Sequence, residues 1–317
     1  MNEGSRRAIL AAFAANAGIA VAKFVGFFVT GAASLLAEAV HSVADSANQG
    51  LLILGGARAD RGPTVEHPFG YGRERYFWAF VVAMVLFTLG SLFAIYQGVD
   101  KIRHPHALTD PHWAVGILLL GILFEGFSLR TAVREANRIR DRAGWWDFIR
   151  HARSPELPVV LLEDLGALLG LMFAMIGIGL AVWTGNPRFD AVGSIAIGVL
   201  LGVIAVVLAS EMKSLLIGES ARPGDRKKIA DAIGSSDCVR RLIHLRTQHI
   251  GPDELLVAAK IELDPELAGR ELADAIDRIE VRIREAVPLS RLIFLEPDVY
   301  RPERGEIDPS SPPGVVD

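Results

Sequence analysis

Ser34, Glu38, His41, Asp45 and Asn48 follow one another at steps of four, three, four and three. That spacing lays all five side chains along one face of a helix, within a stretch over 32–57 that is otherwise mostly apolar or small. Ionisable groups at membrane depth are costly and normally face a partner, a cavity or a substrate path. His41 and Asp45, at i and i+4, come close enough to share one small cation. Such a pair needs further donors, and Glu163 and Asp164 offer them from the apolar run Val159 to Gly170. Gly166, Ala167 and Gly170 in that run let another helix backbone approach closely. Imidazole with carboxylate suits a tetrahedral, zinc-like ion better than Ca²⁺ or Mg²⁺, which prefer all-oxygen shells.

Each of these residues has a plainer reading. His41 and Asp45 could be a hydrogen-bonded pair that only holds helices together, although a stack of three ionisable groups on one stripe favours the functional reading. Glu38, nearer one end of the span, is a direct ligand, a group that supports the ligands or a carboxylate solvated at the interface. Glu163 and Asp164 project roughly 100° apart on a helix, so one of them can face a neighbouring helix instead; Asp164 is the favoured ligand. Asn16, Lys23 and Glu125 are isolated polar residues, open to helix packing, snorkelling or a proton relay.

The elements that would position these groups are membrane spans. The chain has 317 residues, of which 51% are hydrophobic and 22% charged, and the two are unevenly distributed. Long apolar runs fill the sequence to about residue 217, and charged residues return at ordinary density from Gly218. A helix needs roughly 20 mainly apolar residues to cross the hydrocarbon, which predicts six spans near 8–30, 32–57, 76–98, 112–129, 157–183 and 190–212. Thr30-Gly31-Ala32 allows only a tight turn between the first two. Arg58, Arg61, Arg73 and Arg75 lie in the 58–75 connection, and the 130–153 connection carries Arg130, Arg134, Arg138, Arg140, Arg142, Arg150 and Arg153. The opposite side shows only Lys101, Arg103 and Arg188, so both termini are expected in the cytoplasm. Trp145, Trp146 and Phe148 make the second basic connection either an interfacial amphipathic stretch or an ordinary charged loop.

The expected domains are therefore a six-helix transmembrane domain over 1–217, a cytosolic α+β domain over 218–300 and a disordered tail over 301–317 rich in Pro, Ser and acid. Within the second, a helix at 223–234, a hairpin of strands at 241–249 and 254–263 around Gly251-Pro252-Asp253, a helix at 269–286 and a last strand through 292–295 give the order αββαβ.

Several function classes drop out. The single cysteine, Cys238, excludes an internal disulfide framework and a multi-cysteine zinc site. A net charge of −4 gives no basic footprint for nucleic acid. The polar start Met1 to Arg7 is followed by an apolar stretch longer than a signal-peptide core, with no evident cleavage site. A membrane metalloenzyme is the main rival class, but no His-Glu-x2-His, Gly-x-Ser-x-Gly or phosphate-cradling glycine loop supports it. A metal sensor that does not transport is the second rival. No resident cofactor is called for; the metal is cargo.

The string Ser34-Leu35-Leu36-Ala37-Glu38-Ala39-Val40-His41-Ser42-Val43-Ala44-Asp45 resembles the second-helix signature of the cation diffusion facilitator family. His67-Pro68-Phe69-Gly70-Tyr71-Gly72 is similar to that family's cytoplasmic loop, and Leu216-Ile217-Gly218-Glu219 to its exit into the cytosolic domain. The likeness covers nearly the whole chain. It implies a homodimeric, proton-coupled exporter of zinc or a related divalent metal, with six spans and a metallochaperone-like, ferredoxin-like cytosolic domain. Many members carry His-x3-Asp in the fifth helix, whereas Val160 stands four residues before Asp164 here, and Glu163 resembles the replacement in the zinc transporter 9-like branch. An oxygen-richer shell is less selective and widens the candidates to manganese, cobalt and iron. Tyr71 stands where some bacterial members have a second His. In the soluble domain His244, His249 and Glu296 are candidates without a cluster by spacing, and solvent-facing strand histidines are the expectation. The preference for Arg over Lys points to a bacterial inner membrane.

Overall fold

The computed structural model describes residues 18–301 apart from 141–143, 151 and 153. The expectations for Asn16, for the start of the first span, for Arg142 and Arg153 and for the tail beyond Arg301 fall outside the described residues. Two compact units emerge, one from residues to 58 together with 74–213, the other from 59–73 together with 214 onward.

The first unit is helical: α1 (Gly18–Thr30), α2 (Ala33–Ala59), α3 (Glu74–Arg103), α4 (Pro111–Ile139), the short α5 (Trp145–Arg150), α6 (Glu156–Thr184) and α7 (Arg188–Ile217). Among the described residues, four of these, α3, α4, α6 and α7, are long and apolar enough to cross a membrane. α2 has 27 residues, enough length at about 1.5 Å per residue, but its polar stripe dilutes its apolar character. The described part of α1 is short. α3 carries a π-helical stretch at Leu86–Leu92, a local widening of the kind that often accompanies functional sites.

The turn between α1 and α2 is fixed from a distance. Gly31 takes a positive φ of 65°, and Thr30 Oγ1 donates to Gly26 O at 2.7 Å while accepting from Ala32 N at 3.3 Å. The first turn of α2 has no acidic residue of its own. Asp190 of α7 supplies the missing carboxylate, accepting from Ala33 N at 2.8 Å, from Ser34 N at 3.3 Å and from the Ser34 hydroxyl. A carboxylate at a helix N-terminus satisfies orphan amides and complements the helix dipole. Lys101 completes the knot, donating to Asp190 at 2.8 Å and to Gly31 O at 2.6 Å. Lys101 is thus a buried helix residue and not the loop charge expected from the sequence. Ser34 is likewise spent on Asp190.

α4 runs about ten residues past its expected end, so Arg130, Arg134 and Arg138 sit on a helix and not in a loop. Phe148 of α5 folds back onto Ala132, Ala136 and Leu161, which explains that extension through burial. Trp145 and Trp146 stay exposed, with the Arg140 guanidinium 4.2 Å over one ring and the Arg150 guanidinium 6.0 Å over the other.

The second unit contains α8 (Pro223–Gly234), β1 (Val239–Gly251), β2 (Glu254–Leu263), α9 (Arg270–Ala286) and β3 (Ser290–Pro297). The sheet order is β1-β2-β3, antiparallel between the first pair and parallel between the second. Alternation in β2 buries Leu255, Val257, Ala259, Ile261 and Leu263, and these meet Ile279 and Ile283 of α9 and Ile229 and Ile233 of α8. The spacing of those isoleucines at steps of four is what makes each helix cover the sheet with one face.

Residues 59–73 belong to this unit. Thr64 Oγ1 accepts from His67 N at 3.1 Å, His67 O accepts from Gly70 N at 3.0 Å and Thr64 N at 3.1 Å, and the His67 and Tyr71 rings lie 4.5 Å apart. The loop rests on the β1–β2 turn at a glycine-to-glycine contact. A Cβ on Gly72 would sit 2.8 Å from Ile250 O and 2.9 Å from Gly251 Cα, so position 72 requires the absence of a side chain.

Candidate metal centre

The polar stripe of α2 is held against three other helices. His41 is fully buried, and neither ring nitrogen has a hydrogen-bond partner among the described residues. Its Nε2 lies 3.5 Å from Asp45 Oδ2, the contact the i to i+4 spacing predicts. Asp45 Oδ1 is also buried without a hydrogen-bond partner. Unbonded polar atoms inside apolar surroundings are expensive, and three of them on two neighbouring side chains mark a place where a polar partner would be favourable.

Asp45 faces a small cavity of about 30 Å³ whose wall also includes Ser42, Gln49, Glu125, Ser128 and Asp164. Asp164 reaches it from α6 and accepts a hydrogen bond from Ser128 Oγ of α4 at 2.8 Å. Glu163 turns to α2 instead, where its Oε1 accepts from the Asn48 amide at 2.7 Å. The two adjacent carboxylates thus serve different neighbours, as their angular separation requires. Glu38 Oε2 lies 3.1 Å from Lys23 Nζ of α1, an ion pair with neither side chain exposed. Its Oε1 lies against Gly170, where a Cβ would collide with it. The close packing expected of the α6 small residues is used here to admit a carboxylate.

Among the described residues, no three His, Cys, Asp or Glu side chains converge closely enough to hold a metal ion. What the helices bring together is Asp45, Asp164 and Glu125 around a space of water size, with His41 behind Asp45 at 3.5 Å.

Two participants were not assigned from the sequence. Lys23 lies eight residues before Gly31 and Glu38 seven after it, so a tight hairpin places them side by side; that arithmetic was the available signal. Glu125 stands three residues before Ser128, on the same face of α4, but nothing local says which helix that face meets. In the second unit His249 is buried, against the expectation of a solvent-facing side chain. His244 pairs across the sheet with Lys260, which binds Glu296 at 3.0 Å and Asp298 at 3.3 Å. Burial first, then Arg246, Lys260 and Arg226, push the His244 imidazole below its usual range. Among the described residues His244 and Glu296 belong to no group of three donors that could hold a metal ion.

The chain thus combines helices long and apolar enough to cross a membrane with a buried imidazole–carboxylate pair and a second carboxylate on the cavity that Asp45 faces. The chain matches the cation efflux transmembrane domain over residues 9–217 and belongs to that family, the cation diffusion facilitators. It is 30% identical over 277 residues to the mouse protein named proton-coupled zinc antiporter SLC30A9, mitochondrial, an alignment covering 87% of this chain and 49% of that protein. It is 31% identical over 268 residues to metal tolerance protein C4 of Arabidopsis thaliana, covering 84% and 59% respectively. Cation-efflux pump FieF of Serratia proteamaculans is 27% identical over 277 residues, covering 86% and 87%. The chain falls in the zinc transporter 9-like branch, and it spans about half the length of the mitochondrial antiporters it matches.

Proposed function

We propose that this protein is a six-span, proton-coupled antiporter that exports a divalent transition metal from the cytoplasm, with zinc foremost and manganese, cobalt or iron as further cargo. It is a transporter and not a membrane metalloenzyme. The observation that carries the reading is the small cavity that Asp45 of α2 and Asp164 of α6 face together, with the unbonded His41 imidazole 3.5 Å from Asp45. His41, Asp45 and Asp164 are the ligands, Glu163 braces α2 through Asn48, and Glu38 stands behind the site on Lys23. Names of the relatives, a zinc antiporter and a cation efflux pump, support the cargo and the coupling.

Coupling follows from the donor types. Imidazole and carboxylate must lose protons to take a divalent ion, so metal and protons compete for the same groups. Protons entering from outside displace the metal there, and the inward proton gradient drives the metal out through alternating exposure of one central site. Closing His41 and Asp45 onto Asp164 is the movement that completes the shell. Residues 59–73 and the C-terminal domain fall in one compact unit, which supports a common cytoplasmic side for that basic loop and the C-terminal domain. We place the protein in a bacterial inner membrane.

In proteoliposomes carrying the full chain, zinc uptake is expected to follow an imposed proton gradient and to reverse when the gradient is reversed. Zinc binding without flux under either gradient would instead establish a sensor. The proposed two-fold dimer predicts a protein mass in detergent of twice the 34.3 kDa of one chain, measured by light scattering with the detergent contribution subtracted. A monomer at micromolar concentration would remove it.

A further inference from the structure

Lys23 carries a charge that the ligand set does not use. Its ammonium is fully buried, 3.1 Å from Glu38 Oε2 and 2.7 Å from Ser42 Oγ. It does not snorkel to an interface, because its head group is bonded inside the helix bundle. Ser42 is itself part of the cavity wall, beside Asp45, Glu125 and Asp164. The ammonium therefore stands one hydrogen bond behind the space assigned to the cation.

A buried ion pair is a poor way merely to clamp two helices, since an apolar pair of similar volume often stabilises as well or better. Its position gives it another use. Three carboxylates line the cavity, more anionic charge than one divalent ion neutralises. A fourth at Glu38, with Oε1 already unbonded, would hold the cation harder and release it more slowly. Interaction between charges is strong where water is excluded.

We propose that Lys23 is a resident counter-cation of the metal centre, which keeps Glu38 out of the ligand shell and sets the affinity low enough for release. This rests on reading Asp45 and Asp164 as the metal site. Removing the ammonium frees Glu38 toward the metal; removing the Glu38 charge leaves an uncompensated ammonium beside it. The two changes act in opposite directions, which a simple helix clamp cannot reproduce.

Zinc binding to the purified full chain by calorimetry, together with zinc flux in proteoliposomes, tests this. Lys23→Met is expected to tighten zinc binding about tenfold and slow the maximal flux, and Glu38→Gln to weaken binding about tenfold, each a modest share of a buried charge interaction. Lys23→Met with Glu38→Gln returns to within about threefold of the parent, since the pair's net charge is again zero. Lys23→Arg keeps the parent affinity. Should Lys23→Met fail to fold, Glu38→Gln and Lys23→Arg still decide: unchanged binding in Glu38→Gln overturns the proposal. Shifts of the two single variants in the same direction also overturn it. If those shifts are absent while Asp45→Ala and Asp164→Ala lose zinc, only the counter-cation falls. If Asp45→Ala and Asp164→Ala still bind zinc normally, the metal centre falls and the counter-cation with it.

Discussion

Asp164→Ala is expected to abolish zinc-driven proton release and zinc flux together, with binding weakened by more than about 100-fold, because groups that only orient a ligand already cost 10–100-fold when removed. The protein itself should survive. Asp164 is held by one side-chain hydrogen bond, from Ser128, and loss of a carboxylate at membrane depth relieves a desolvation cost. Asp45→Ala and His41→Ala should behave alike, since Asp45 lines the same cavity as Asp164 and the His41 imidazole lies 3.5 Å from Asp45. Glu163→Ala is the informative contrast. Its carboxylate is engaged by Asn48 and faces α2, so it should lose roughly 10–100-fold in affinity and retain some transport. A dead Glu163→Ala protein of normal fold would mean that both adjacent carboxylates reach the metal. Normal transport by Asp164→Ala would refute the assignment of the α6 wall altogether. Calorimetry and flux on the same preparations separate these outcomes.

Asp190→Ala should destabilise the helical unit by roughly 3–5 kcal/mol, the range for breaking a buried ion pair by removing one partner. The change strands the buried Lys101 ammonium and leaves the Ala33 and Ser34 amides at the start of α2 without their acceptor. Lys101→Met should cost less, because Asp190 keeps three donors from α2 when the ammonium goes. Thermal unfolding in detergent gives the order. If Lys101→Met proves the more damaging, Asp190 is not the cap of α2. Zinc flux should fall in both, since the position of α2 sets where His41 and Asp45 stand.

The comparison of sequence with structure turns on which distances are local. Steps of three and four put Glu38, His41 and Asp45 on one stripe, and the 3.5 Å approach of His41 to Asp45 needed only a regular helix. Alternation in β2 and the isoleucine steps of α8 and α9 likewise gave the order αββαβ. Composition gave the apolar helices, although it ended the fourth near residue 129 and left Arg130 to Arg138 in the connection beyond it, because the burial of Phe148 that draws α4 onward is a contact between distant segments.

Tertiary structure decided everything that depends on the rotation of one helix about its axis against another. Sequence placed Glu163 and Asp164 in the right run and could say that they diverge. Which of them meets α2 and which meets the cavity was set by how α6 seats, through Gly170 against Glu38 and through Ser128 and Asn48 on either side. Lys101 and Asp190 are 89 residues apart, and Lys23 meets Glu38 only because the α1–α2 turn folds one helix onto the other. Helical periodicity fixes angles within a helix; the packing of side chains between helices fixes them between helices, and the proposed metal centre of α2 and α6 belongs to the second kind.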